Sequence, residues 1–157
     1  METAKMGILI DNQQSGRPIN LAKIRKAARA ILNDLDCPEG ELSILFVDDN
    51  RIQSLNREYR HKDRPTNVLS FAMREGDFNE ISPGLLGDVV ISVDTAAAEA
   101  EKAGISLGQH MTWLLIHGIL HLFGFDHEQS GEMADEMETR TRRLAETVKD
   151  LIPANLQ

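Results

Sequence analysis

The chain carries one cysteine, Cys37, in 157 residues. No intramolecular disulfide can form, and a metal cluster built on thiolates has nothing to draw on. A reducing compartment, the cytoplasm, is therefore the expected location. Long apolar runs are also missing. The richest segment, Met111 to Phe123, is interrupted by His117, Gly118 and His121 and falls short of the roughly 20 residues a membrane span requires. The opening Met1 to Gly7 leads only into Ile8-Leu9-Ile10, which is too short for the apolar core of a signal peptide. No membrane partner is expected. With no internal repeat and no Gly/Ser-rich or Pro-rich linker to divide it, residues 1–157 are expected to form a single domain.

Positive charge is scarce as well: 17 Lys and Arg stand against 25 Asp and Glu, a net charge of −8. Such a balance excludes a protein that coats nucleic acid by charge alone. Local patches remain. Arg57-Glu58-Tyr59-Arg60-His61-Lys62-Asp63-Arg64 is the strongest, while Arg140, Arg142 and Arg143 read as a solvated helix face.

Periodicity supplies the elements. Ile8 to Ile10 reads as a strand, and the apolar spacing of Leu21, Ile24, Ala27, Ala28, Ile31, Leu32 and Leu35 behind an Asn20 cap predicts an amphipathic helix. Glu41 to Val47 reads as a second strand. Asp48 or Asp49 caps a helix that delivers Arg60 at its C-terminal end, with Ile52, Leu55 and Tyr59 on one side. Thr66 to Phe71 and Gly87 to Ser92 are further strands, separated by a loop from Arg74 to Gly84. Asp94 or Thr95 starts a helix ended by Gly104, Ser106 caps another through about Phe123, and a last helix covers about Gly131 to Lys149. The implied fold is α+β: one layered domain with a mixed sheet of about four strands and about five helices. Strand order is not readable from the pattern.

Three of the five histidines fall within the run His117-Gly118-Ile119-Leu120-His121-Leu122-Phe123-Gly124-Phe125-Asp126-His127. Residues four apart share a helix face, so His117 and His121 can aim at one point. Gly124 is placed to end the helix in the left-handed conformation and return His127 as a third nitrogen. Three imidazoles with an open fourth position make a catalytic rather than a structural zinc site, with one Zn2+ per chain. Nickel or copper could occupy the same ligands in vitro. The competing interpretation is a pair of hydrogen-bonded core histidines, since Trp113, Leu114, Ile116, Leu120 and Leu122 share the helix. Spacings of four and ten residues from His117, with glycine at the turn, favour the metal. His110, two turns earlier on nearly the same face, is a candidate contact to a ligand or to substrate, or simply surface. The spacing approaches the zinc-protease pattern H-E-x-x-H-x-x-G-x-x-H, but Gly118 stands where that pattern has its general base.

The same eleven residues resemble the signature of the YbeY family of metal-dependent endoribonucleases. Asn56 to Arg60, Pro65 to Phe71 and Leu86 to Ser92 resemble further family segments, so the likeness spans about residues 40 to 145. It implies zinc held by His117, His121 and His127, and a functional cation at Arg60. It also implies RNA as substrate, in maturation of the 3′ end of 16S ribosomal RNA and in ribosome quality control, within the ribosomal subunit. DNA is not an expected partner, and ribosomal proteins or GTPases are candidate ones. Arg60 has a physical case of its own, because a guanidinium offers a planar donor fork to phosphate oxygens. Asp126 could orient an imidazole or shape the turn, and Ser70 is a further candidate contact beside the site. Two other functions fit the histidine run: a peptide or small-molecule metallohydrolase, and a non-catalytic ribosome-associated metal protein.

Overall fold

A computed structural model describes residues 7–73, 84–125 and 131–157. Four strands, β1 (Ile8–Asn12), β2 (Glu41–Val47), β3 (Val68–Ala72) and β4 (Leu85–Ser92), form one sheet in the order β1-β2-β4-β3. Strands β1, β2 and β4 run parallel, and β3 is antiparallel to β4 at an edge. Among the described residues there are five helices: α1 (Leu21–Asp34), α2 (Asp49–Arg60), α3 (Val93–Ala103), α4 (Leu107–Leu122) and α5 (Gly131–Thr147). This is the α+β architecture with a mixed four-stranded sheet that the pattern implied. No helix among the described residues is long and apolar enough to cross a membrane.

Burial follows position in the sheet. Edge strand β1 alternates, leaving Leu9 47% exposed, whereas β4, central and covered on both faces, is buried almost throughout. The main core lies on one face, where Ile24, Ala28 and Ile31 of α1, Leu115 and Ile119 of α4 and Leu144 of α5 pack over Ile44, Phe46, Val89 and Ile91. The opposite face carries a smaller cluster of Val47, Leu69 and Val90 under Ile52 of α2.

Side-chain caps start the helices where local chemistry asks for them. Asn20 accepts from Lys23 N at 3.2 Å, Asp48 from Arg51 N at 2.9 Å and Ser106 from Gln109 N at 3.0 Å. Helix α3 differs from expectation. Its cap is Ser92, the last residue of β4, so strand passes into helix with no intervening loop. The Ser92 hydroxyl is already committed there, donating to Asp49 Oδ1 at 2.6 Å, an atom that also accepts from Thr95 Oγ1 at 2.5 Å. Strand β3 begins two residues later than expected, because the Asn67 side chain takes the Val68 N–H at 2.7 Å and its carbonyl takes the Ser92 N–H at 2.9 Å. Of the loop expected from Arg74 to Gly84, residues 74–83 lie outside the described residues.

Helix α4 is seated by two close approaches that only glycine permits. A Cβ at Gly108 would stand 1.9 Å from the Pro153 carbonyl oxygen, and one at Gly118 would stand 2.7 Å from Val89 Cγ1. Gly108→Ala is expected to destabilise the fold by about 1–3 kcal/mol through forced separation of α4 from the C-terminal segment. A lowered midpoint in denaturant unfolding measures it, and an unchanged midpoint would show that the segment yields without cost.

Candidate functional site

Seven apolar residues of α4, among them Leu114, Leu115, Ile119 and Leu120, are buried in the core. The stripe left over carries His110, Trp113, His117 and His121, which follow one another at three- and four-residue steps. Trp113, unlike its apolar neighbours on the helix, is 42% exposed. Its indole lies parallel to the His117 ring, with centroids 4.5 Å apart and planes at 18°. On the N-terminal side it faces the His110 ring at 6.0 Å and 8°. His117 and His121 stand edge to face at 5.0 Å and 65°.

The helix ends as the sequence required. Gly124 adopts φ 93°, its N–H meets the His121 carbonyl at 3.0 Å, and the Phe125 N–H meets that of Leu120 at 3.2 Å. These are the two hydrogen bonds of a Schellman cap, and Phe125 packs against the core. The chain is thereby turned back at Phe125. His127 and Asp126 lie outside the described residues. Among the described residues no three His, Cys, Asp or Glu side chains form a complete metal-binding group. His117 and His121 contribute adjacent imidazoles, which suit the borderline-soft, nitrogen-rich coordination of zinc.

Arg60, the last residue of α2, reaches across edge strand β3. Its Nη2 donates to the Ser70 carbonyl at 2.7 Å, and the guanidinium carbon sits 5.4 Å from the Phe71 ring centroid. Tyr59 packs edge-on against the same phenyl ring at 5.4 Å. Ser70 also faces the histidine helix, its hydroxyl donating to the Gly118 carbonyl at 2.9 Å. One residue thus ties the arginine and α4 together, a role finer than the general contact its position suggested. The left-handed His61, φ 60°, ends α2 at this point, and the Asn56 amide holds the following loop through the Arg64 carbonyl at 2.9 Å.

The charge patches separate. Arg57 is paired with Asp63 at 3.3 Å, and the Gln53 amide together with Arg57 holds the Asp63 carboxyl below the ordinary value. On α5, Arg140, Arg142 and Arg143 pair with Glu136, Glu138 and Asp34. These are solvated pairs, as expected of that face. His110 has a definite partner that the sequence did not point to: its Nε2 lies 2.8 Å from Glu99 Oε1 on α3. The Asn67 amide reaches both oxygens of the same carboxylate, at 3.0 and 3.3 Å. The missed residues, Glu99 and Asn67, are 11 and 43 positions from His110, beyond any helical spacing rule.

Residues 9–149 match the family model described as endoribonuclease YbeY. The chain belongs to the endoribonuclease YbeY family. Endoribonuclease YbeY of Geobacter metallireducens is 51% identical over 140 residues, covering 88% of this chain and 93% of the relative. The Geobacter sulfurreducens endoribonuclease YbeY is 50% identical with the same coverage, and that of Aquifex aeolicus is 47% identical over 74% of this chain and 75% of its own. The solution structure of TM1509 from Thermotoga maritima superimposes with a TM-score of 0.63 at 24% identity, covering 90% of this chain and 88% of that one. That likeness supports the fold. Membership in the YbeY family bears out the resemblance carried by residues 117 to 127, and with it the assignment to the hydrolytic endoribonucleases.

Proposed function

We propose that the chain is a single-strand-acting, zinc-dependent endoribonuclease of the cytoplasm, working in maturation of the 16S ribosomal RNA 3′ end and in ribosome quality control. The observation that carries the proposal is the pair of adjacent imidazoles on α4, a helix whose Gly118 carbonyl is tied by Ser70 to the strand that holds the Arg60 guanidinium. His117, His121 and His127 would hold one Zn2+, with Asp126 beside the third ligand. Held in that set, the ion would supply Lewis-acid polarisation of a phosphoryl oxygen and activation of water near neutral pH.

The remaining work falls to the chain. Arg60 offers donors to a phosphate oxygen and meets the charge that builds on the phosphorus during strand cleavage. The Ser70 carbonyl and Phe71 ring restrict its guanidinium, which lowers the entropy cost of gripping the backbone. Position 118 supplies no general base, and the packing explains why: a side chain there would be driven into Val89 and Val68 rather than toward the histidines. The attacking oxygen therefore gives its proton to another group, unlike the arrangement of the zinc proteases. Partners consistent with this reading are ribosomal RNA in the small subunit, ribosomal proteins and GTPases, with neither DNA nor membrane.

The test is cleavage of a single-stranded RNA ending in the 16S 3′ sequence by purified protein before and after chelation, beside a panel of peptides. Chelation is expected to lower RNA cleavage at least about tenfold, with recovery on adding Zn2+. Undiminished cleavage in chelator, or metal-dependent turnover of peptides in place of RNA, overturns the assignment. Binding has its own readout. Trp113 is the chain's one tryptophan and stacks on His117, so Zn2+ or quenching Ni2+ is expected to change its emission saturably at one equivalent.

A further inference from the structure

The stripe on α4 continues past the predicted ligands into a stack with an anchored end. Glu99 of α3 is fixed by the Asn67 amide at the start of β3 and accepts from His110 Nε2. A carboxylate has no proton to give, so the imidazole is the donor and its ring is oriented by that bond. His110 then covers one side of Trp113 in near-parallel planes, and Trp113 covers His117. An imidazole that shares its face with an indole at 4.5 Å cannot turn about its Cβ–Cγ bond without losing that contact.

We propose that Asn67, Glu99, His110 and Trp113 form a positioning relay that fixes the ring plane of His117, and hence the direction in which it presents a nitrogen to the metal. Histidine ligands ordinarily take their orientation from a hydrogen bond at the second ring nitrogen. Here an aromatic stack contributes the constraint, with a carboxylate two rings away as its anchor. Three elements meet in the relay. Asn67 precedes β3, Glu99 lies on α3, and the rings stand on α4, so a shift between α3 and the sheet is transmitted to the His117 plane. The same β3 holds Arg60 through Ser70, which places both halves of the site under one strand.

The inference rests on the metal reading above, and the experiment keeps the two apart. Co2+ and Zn2+ binding are measured on the full chain by competition with a chromophoric chelator, together with the visible absorption of the Co2+ form and the thermal midpoint of the metal-free protein. Trp113→Ala is expected to weaken metal binding about tenfold and to shift or broaden the Co2+ bands, whereas Trp113→Phe, which keeps a ring in the stack, stays within about threefold of the parent. Glu99→Gln leaves one acceptor for two donors, and is expected to move affinity and spectrum in the same direction by less. Trp113 is half exposed, so the metal-free midpoint should change little. Parental affinity and an unaltered spectrum in Trp113→Ala overturn the relay, as does a lowered midpoint with affinity untouched. A parent chain that binds neither ion overturns the metal reading, and the relay with it.

Discussion

His117→Ala and His121→Ala are each expected to reduce RNA cleavage about a thousandfold, some 4 kcal/mol of transition-state stabilisation at about 1.4 kcal/mol per factor of ten. Each removes one of three predicted ligands, and zinc held by two imidazoles is neither tightly bound nor geometrically controlled. Both rings are half-buried on a helix whose core contacts come from other residues, chiefly Leu114, Leu115, Ile119 and Leu120. The fold should therefore survive, with stability changes of about 1 kcal/mol. The measurement is single-turnover cleavage paired with metal content and denaturant unfolding of the same preparations. A variant that loses its metal yet cleaves at the parental rate would remove the metal from the mechanism.

Arg60→Ala is expected to lower cleavage about a hundred- to a thousandfold, the range seen when one donor to a developing oxyanion is removed. The residue is exposed and ends its helix, so folding should be indifferent to the change. Arg60→Lys restores charge without the planar fork, and is expected to recover only part of the loss. The division between kcat and KM is informative. Loss mainly in kcat assigns the guanidinium to the transition state, and loss confined to KM assigns it to backbone binding. Metal content should stay at the parental level in both variants. Cleavage within about threefold of the parent in Arg60→Ala would return this arginine to an ordinary helix-end residue.

A milder effect is expected at Ser70, whose two contacts separate cleanly. Ser70→Ala keeps the carbonyl that holds Arg60 and removes the hydroxyl that meets Gly118. A partly buried hydrogen bond of this kind is worth about 1 kcal/mol. Activity should fall less than about tenfold, a small loss beside that of Arg60→Ala.

Local rules carried far in this chain. The Asn20, Asp48 and Ser106 caps, the amphipathic spacing of α1 and the Gly124 reversal each depend on neighbours within a few positions, and all appear as the pattern implied. Where expectation slipped, a distant partner had intervened. The cap of α3 moved to Ser92, where Asp49, 43 residues earlier, draws the strand end into a shared cap. Trp113 shares its helix with apolar core residues, yet it falls on the stripe that α4 does not bury. His110 drew attention by its spacing from His117, but its bond to Glu99 is made between two helices.

Helical periodicity and a glycine stop were enough to put His117 and His121 side by side, because a one-turn repeat needs no information from elsewhere in the chain. The company those rings keep belongs to the tertiary structure. Arg60 arrives from the far face of the sheet around edge strand β3, Ser70 joins it to α4, and Asn67 with Glu99 secures the outer ring of the stack. Such contacts arise from the order β1-β2-β4-β3 and from the close seating of Gly118 on Val89. Packing across the sheet brings them together, and no periodicity along the chain encodes it.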